Sequence, residues 1–189
     1  MAIRFEHICY HGTRSRVPFD RFEISSTGAQ GPGIYLADRF DAAAEYGGGA
    51  VIRAKVALRN PFYFYPSDDS LDAEANPELL AQVLDAPALR RVLDRMDRDG
   101  LEGYGFEVME SLRSRGHDGI VMVYPFGEAV IPGLSGAAVI IAFDPDQVDI
   151  LHRAPAFDPC WREMCHQPLP NFYPAHSTLP DGGECDICM

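Results

Sequence analysis

Short runs of apolar residues, separated by turn-forming residues, predict a set of β-strands along the chain. The pattern predicts strands over residues 3–10, 34–37, 50–58 and 148–151. Two further runs, 120–124 and 137–143, are almost entirely apolar. Such runs are typical of strands that are covered on both faces, so we expect the second of them at the centre of a sheet. Residues 62–65 form a short aromatic extension after Asn60-Pro61.

Other segments repeat their apolar residues at the spacing of a helix. They predict helices over residues 39–46, 77–84, 87–97 and 106–115. Asp38 is a suitable N-cap for the first helix. Gly116 stands where a left-handed C-terminal cap closes the last one. Strands and helices together predict an α+β fold with about six strands and peripheral helices.

Length and composition indicate one globular domain with a small appendage. The chain has 189 residues, of which 47% are hydrophobic and 23% charged. These fractions are typical of a packed domain and exclude a disordered chain. We place the domain at residues 1–153. Residues 154–189 are rich in proline and cysteine, and we expect little regular structure in this tail.

The charge distribution excludes several classes of partner. The net charge is −12, which argues against extended nucleic acid and anionic membranes as partners. Residues 1–66, with eight basic and six acidic side chains, could still accept a compact anion. The apolar runs are too short to span a bilayer. The N-terminus lacks the apolar core of a secretory signal, so we expect a cytoplasmic protein, with export by a route without a cleaved signal as the alternative.

Three segments carry candidate chemistry: Tyr10-His11-Gly12-Thr13, residues 31–38 and residues 42–46. Tyr35 and Tyr46 could hold a flat heteroaromatic ring between them. Gly12 allows a carboxamide to approach the backbone, and His11 can bond a ribose hydroxyl. Taken alone, His11 fits an ordinary strand-end histidine, and the two tyrosines fit core aromatics.

Together these segments resemble the ADP-ribosyltransferase fold, in its diphtheria-toxin and poly(ADP-ribose) polymerase branch. That branch is described by a His-Tyr-Glu triad, which His11 and Tyr35 match in part. Residues 116–120 and 139–147 resemble its last two strands, and the similarity covers residues 5–151. The resemblance implies a split β-sheet and NAD as substrate. It also implies a set of NAD-binding residues: His11, Gly12, Thr13, Tyr35, Ala43 and Tyr46.

The chain departs from the family pattern at two positions. Val139 stands where the family has its glutamate, and Ala43 where it often has a serine. Glu128, in the preceding loop, could supply the missing carboxylate. The catalytic residues would then be His11, Tyr35 and Glu128. The alternative is that Glu128 is a solvated loop glutamate.

The resemblance implies a mono-ADP-ribosyltransferase, of effector or toxin type, that cleaves the nicotinamide–ribose bond of NAD and modifies a protein. Two alternatives remain open. One is NAD hydrolysis, with water as the acceptor. The other is an inactive NAD-pocket module that binds protein.

The cysteines fall into two groups. Cys9 lies within the first predicted strand and fits a buried apolar residue. The tail carries two close pairs with the spacing of a four-thiolate zinc site: Cys160, Cys165, Cys185 and Cys188. Two disulfides or four free thiols are the alternatives.

Zinc analysis of the purified chain tests this interpretation of the tail. A four-thiolate site predicts about one equivalent of bound zinc, because thiolates at this spacing complete the tetrahedral coordination that the ion prefers. Less than about a tenth of an equivalent, together with four free thiols, would exclude the metal site.

Overall fold

A computed structural model describes residues 4–15, 19–26, 28, 30–47, 50–66, 77–99, 106–124 and 136–155 of the chain. The strands are β1 (Phe5–Thr13), β2 (Ile34–Ala37), β3 (Ala50–Leu58), β4 (Phe62–Phe64), β5 (Gly119–Val123), β6 (Ala138–Ala142) and β7 (Val148–Pro155). The helices are α1 (Phe40–Gly47), α2 (Pro77–Val83), α3 (Ala86–Asp99) and α4 (Glu107–Ser114). This arrangement confirms the predicted α+β class.

The described strands form one mixed sheet in the order β4-β5-β6-β2-β1-β3-β7. The short strand β4 pairs in parallel with β5, so the aromatic extension forms a strand beyond the six that the sequence predicts. Strand β6 lies between β5 and β2, and β7 lies at the edge beside β3. The central position predicted for residues 137–143 is therefore confirmed.

Each face of the sheet carries its own apolar cluster. The helix-side cluster packs α1, α2, α3 and α4 onto one face and includes Tyr10, Ala43 and Leu112. The opposite cluster includes Cys9 and Phe22. Adjacent residues of β1 therefore belong to different clusters, as the two-residue repeat of a strand requires. Cys9 is fully buried and has a free thiol, which confirms its predicted core role.

The predicted end of β1 is wrong, whereas the predicted end of α4 is confirmed. The sequence predicts that β1 ends at Tyr10, but the strand continues through Gly12-Thr13 because these residues pair with Val51 and Ala50 of β3. A long-range partner thus overrides two turn-prone residues. The glycine cap of α4 is confirmed, because Gly116 has a φ of 85° there.

Strands β1 and β2 share one registered pair among the described residues, and the candidate site lies along the rest of their facing edges. In the described strands, β1 is registered with β2 at Tyr10 and Ala37. The same strand is registered with β3 along its whole length, from Phe5 to Thr13. Residues 11–13 therefore have a paired edge toward β3 and an edge toward the start of β2 that lies outside the registered ladder. We call the space along that second edge the split.

Asp38 links β2 to β6 and does not cap α1. Its backbone N–H donates to the Ala138 carbonyl at 3.0 Å, and its Oδ1 accepts from the Ala138 N–H at 2.8 Å. The carboxyl oxygen thus takes the place of a backbone carbonyl and extends the sheet ladder by one step. The predicted N-cap is wrong because the carboxyl faces the neighbouring strand and not the first turn of the helix.

Burial gives Asp38 an unusual acidity. Its side chain is almost fully enclosed, and this burial raises the pKa of the carboxyl to about 7, although the bond from the Ala138 N–H opposes the shift. Cys9 lies nearby, and burial together with the Asp38 charge raises the pKa of its thiol. Both groups are therefore held largely in their neutral forms at moderately acidic pH.

We expect Asp38→Asn to change the pH dependence of stability. The folded-state pKa lies above the unperturbed value of 3.8, so the folded chain holds more protons than the unfolded chain between about pH 4 and 7. The extra proton held by the folded chain stabilises it at low pH, and this contribution to the free energy of unfolding is lost as the pH rises through that range. Asparagine does not titrate, so the variant should gain roughly 2–4 kcal/mol relative to the parent between pH 4 and 8.

Denaturant unfolding across this pH range measures the difference. The exposed Asp20→Asn variant is the matched control and should follow the parent at every pH. If the difference between Asp38→Asn and the parent stays constant from pH 4 to 8, the proposed burial effect is wrong.

Candidate functional site

The imidazole of His11 bridges the split. Its Nδ1 lies 2.6 Å from the backbone carbonyl oxygen of Tyr35. A carbonyl only accepts hydrogen bonds, so Nδ1 carries the hydrogen and donates. The ring of Phe22 packs edge-on against the imidazole, with 5.0 Å between ring centroids. His11 is therefore fixed in one orientation by a polar contact on one side and an aromatic contact on another.

The environment of His11 favours the neutral ring. Burial lowers its pKa, and the hydrogen bond to the Tyr35 carbonyl offsets part of that shift. In the neutral tautomer with hydrogen on Nδ1, the second nitrogen, Nε2, has a lone pair and acts as an acceptor. This nitrogen can receive a hydrogen bond from a hydroxyl group, such as that of a ribose.

The phenol group of Tyr35 is held by the loop that precedes β2. Its oxygen accepts a hydrogen bond from the Gln30 N–H at 2.9 Å and donates to the Gly31 carbonyl at 2.5 Å. The ring is partly buried beside the helix-side cluster. These two bonds fix the outer end of the ring, so its position depends on the shape of the loop.

The loop itself is a closed turn. Ser25 and Gly33 exchange two backbone hydrogen bonds of 3.1 Å, and the Gly31 N–H donates to the Gly28 carbonyl at 2.9 Å. A Cβ added at Gly28 would overlap Cε2, Cζ and the hydroxyl oxygen of Tyr35. Glycine at position 28 therefore allows the Tyr35 ring to lie directly against the backbone of the loop.

Gly12 and Thr13 occupy the end of β1 that borders the split. They pair with Val51 and Ala50 of β3, and both are partly buried. The hydroxyl oxygen of Thr13 accepts a hydrogen bond from the Ser15 N–H at 3.1 Å. Gly12 follows His11 directly and has no side chain. Its backbone is therefore not shielded by a Cβ on the side where a ligand would approach.

Helix α1 carries the remaining predicted residues that the structure describes. The helix packs against β1, β2 and β3, and Phe40 at its start meets the Tyr10 ring edge-on at 6.1 Å. Ala43 is buried in the helix-side cluster. Tyr46 is 48% exposed, which leaves a large part of its ring accessible. Partial burial, and then the charge of Glu45, raises the pKa of the Tyr46 hydroxyl.

The structure thus brings His11 and Tyr35 into direct contact and places Tyr46 on the helix that covers the same strands. Val139, at the position of the family glutamate, is partly buried in β6, opposite Ala37. The other predicted residues lie outside the described part of the chain: Glu128, Cys160, Cys165, Cys185 and Cys188.

Two residues of the Tyr35 loop are not predicted from the sequence. Gly28 is one of several glycines in a polar segment, and nothing in the local pattern separates it from the others. Gln30 has no motif of its own, but its backbone holds the Tyr35 hydroxyl. Both depend on contacts that form only when the loop folds back onto β2.

The described ranges hold no metal-ion cluster and no membrane-spanning helix. No group of three or more His, Cys, Asp or Glu side chains there could hold a metal ion. Among those same residues, no helix is long and apolar enough to cross a membrane.

Comparison with known proteins identifies the family. The sequence profile described as "ADP-Ribosyltransferase in polyvalent proteins" matches residues 7–156. A chain of the MbcT-MbcA toxin-antitoxin complex of M. tuberculosis has 16% sequence identity and a TM-score of 0.38, covering 81% of this chain and 85% of its own. No curated protein matches the sequence. The matched range includes the motifs of His11, Tyr35 and Tyr46, most of β1 and the other six strands that the structure describes. This chain therefore belongs to the family of ADP-ribosyltransferases found in polyvalent proteins, which are NAD-using enzymes.

Proposed function

We propose that this chain is an NAD-dependent mono-ADP-ribosyltransferase that modifies a protein side chain. The observation that supports it most directly is the bond between the His11 ring and the Tyr35 carbonyl across the split, within the matched family range. This bond orients the acceptor nitrogen of His11 beside the strand that carries the Tyr35 ring.

Each residue of the proposed NAD site has a separate task. Nε2 of His11 accepts a hydrogen bond from a ribose hydroxyl, because Nδ1 is already used as a donor. The rings of Tyr35 and Tyr46 stack on the nicotinamide. The backbone of Gly12 bonds the carboxamide, and Thr13 and Ala43 line the adjacent surface. The contacts of this site are thus hydrogen bonds and stacking, which suits a dinucleotide in a chain of net charge −12.

The proposed reaction exchanges one bond to the ribose carbon for another. Nicotinamide leaves with the electron pair of the C–N bond, and its ring nitrogen becomes neutral. Positive charge develops on the ribose, as in glycoside cleavage. A nucleophilic side chain of the acceptor protein then bonds to that carbon and loses its proton. A carboxylate near the ribose lowers the energy of the charged intermediate stage.

Glu128 is the carboxylate that we assign to this task. Val139 is apolar, so the family position cannot supply a charge. Asp38 is nearly fully buried, and its Oδ1 is bonded to the Ala138 N–H, so its role is in the sheet. Glu128 lies in the segment between β5 and β6, the strand that contains Val139.

Two other functions remain as candidates. The apolar residue at position 139 favours an inactive module that retains the NAD pocket and uses it to bind protein. Hydrolysis differs from transfer only in the nucleophile, because water then attacks the ribose carbon.

The predicted zinc site of the tail, with Cys160 and Cys165 as one pair, would add a folded element suited to protein contact.

Incubation with NAD that is labelled in the adenosine part separates these functions. Label that becomes covalently bound to protein supports transfer, whereas free labelled ADP-ribose supports hydrolysis. If nicotinamide release does not exceed that of a sample without enzyme, but NAD still binds, the chain is an inactive module and the proposed transferase activity is wrong.

We expect Glu128→Gln to lower the rate of nicotinamide release by about 100-fold or more, because a neutral amide cannot balance the charge on the ribose. The rate is measured as nicotinamide formed at saturating NAD. Glu110→Gln, on the exposed side of α4, is the matched control and should leave the rate unchanged. Unchanged turnover in Glu128→Gln would remove this residue from the mechanism.

We expect Gly28→Ala to weaken NAD binding by about 5- to 100-fold, since the added methyl group must displace the Tyr35 ring. Calorimetric titration with NAD measures the dissociation constant. Ser26→Ala, at an exposed position of the same loop, is the control and should bind NAD like the parent. Equal affinity of Gly28→Ala and the parent would show that NAD does not use the Tyr35 ring.

A further inference from the structure

Phe22 connects the segment between β1 and β2 to the His11 ring. Residues 19–26 lie between these two strands, and Phe22 is the one buried residue among them, with 4% of its surface exposed. Its ring meets the imidazole with 5.0 Å between the centroids and 79° between the ring planes. The Phe19 ring meets Phe22 in the same edge-on manner at 5.3 Å. Phe22 therefore packs against both the imidazole and a second phenyl ring.

The same segment is connected to three other parts of the fold. Ser25 exchanges two backbone hydrogen bonds with Gly33, in the loop before β2. Arg21 forms an ion pair of 2.7 Å with Asp146, in the short turn before β7. Phe22 lies between these two contacts and belongs to the apolar cluster opposite the helices. The position of the Phe22 ring is therefore set by the sheet and the loop as well as by its own segment.

The hydrogen bond from His11 to the Tyr35 carbonyl depends on such packing. A hydrogen bond to a carbonyl competes with bonds to water, so a single one orients a side chain weakly where water has access. The Phe22 ring covers one side of the imidazole and limits its rotation. In the orientation that results, hydrogen on Nδ1 is favoured, because the opposite tautomer would place a lone pair against the carbonyl oxygen.

We propose that Phe22 is a positioning residue for His11, which keeps the imidazole in the orientation and tautomer that make Nε2 the acceptor for a ribose hydroxyl. This inference rests on the proposed use of NAD and adds a residue that acts through His11 without touching the dinucleotide. Groups that bind a ligand keep their geometry only when the residues behind them fix their rotamers. A change at Phe22 should therefore affect NAD binding through the imidazole alone.

The tautomer of His11 gives the first test and needs no ligand. Long-range proton–nitrogen correlation spectra at about pH 8, where the neutral ring prevails, distinguish the nitrogen that carries hydrogen from the nitrogen with the lone pair. The parent should show hydrogen on Nδ1. Phe22→Leu keeps an apolar side chain in the cluster but lacks the ring, so it should show signals of both tautomers. A His11 tautomer unchanged from the parent would overturn the proposal.

A second histidine provides the matched control. Nδ1 of His117 lies 3.1 Å from the Asn60 carbonyl oxygen, and the Phe62 ring meets the imidazole edge-on at 5.5 Å. This arrangement repeats that of His11 outside the split. Phe62→Leu should therefore change the His117 signals and leave the tautomer of His11 as it is in the parent. If Phe62→Leu alters His11 as much as Phe22→Leu does, general loss of stability explains the change and the proposal is wrong.

NAD binding gives the second test, through a double-mutant cycle. Calorimetric titration measures the dissociation constants of the parent, Phe22→Leu, His11→Ala and the double variant. Phe22→Leu should weaken binding about 5- to 20-fold in the parent but less than about twofold in the His11→Ala background, because two changes that act through one group are not additive. Equal weakening in both backgrounds would show that Phe22 acts independently of His11, against the proposal.

The two tests separate this inference from the proposed function. If the parent does not bind NAD, the proposed function is wrong, and the tautomer spectra alone decide whether Phe22 positions His11. If the parent binds NAD, but Phe22→Leu changes neither the tautomer nor the affinity, the role of Phe22 alone is wrong.

Discussion

The candidate site depends on the hydrogen bond that joins the His11 ring to the Tyr35 carbonyl. The registered pairing of β1 with β2 stops at Tyr10 and Ala37, which leaves backbone groups of residues 11–13 and 34–36 on the facing edges outside that ladder. The imidazole satisfies one of those groups at 2.6 Å and so closes the gap at one point. The same contact selects the tautomer of the ring and directs Nε2 away from the carbonyl. A structural requirement of the sheet therefore also prepares the chemistry of the site.

The loop before β2 also has two roles: it closes its own turn and it holds the Tyr35 hydroxyl. Three backbone hydrogen bonds close its turn. The Gln30 N–H donates to the Tyr35 hydroxyl, and the Gly31 carbonyl accepts from it. Because the loop has no side chain at Gly28, the aromatic ring lies against the backbone. The aromatic surface at the split is thus fixed by main-chain geometry, which changes less between conformations than a contact between two flexible side chains.

Most elements of the fold are predictable from the sequence because their patterns are local. The alternation of residues 50–58 and the apolar run around Ile140 directly specify β3 and β6, and Gly116 specifies the end of α4. Features that depend on distant partners are different. The role of Asp38 is set by Ala138, a hundred residues away, and a capping residue was the only interpretation that local sequence supported. The continuation of β1 through Gly12 similarly requires β3.

The candidate site shows the same division. His11 and Tyr35 are predicted from the sequence because each stands in a short motif that resembles a family pattern, and the structure places the His11 ring against the Tyr35 carbonyl. Gln30 and Gly28 are not found, because a backbone N–H and a missing Cβ have meaning only beside the folded Tyr35 ring. The roles of Tyr46 and Ala43 remain predictions.

The register at the edge of the sheet fixes where the described part of the chain ends. Thr13 pairs with Ala50, and Ala50 pairs with Pro155, so the last described residue lies at the same end of the sheet as the split. Two strand spacings of about 4.8 Å place its backbone roughly 10 Å from the end of β1. The described part of the chain therefore ends two strands away from the residues that border the split.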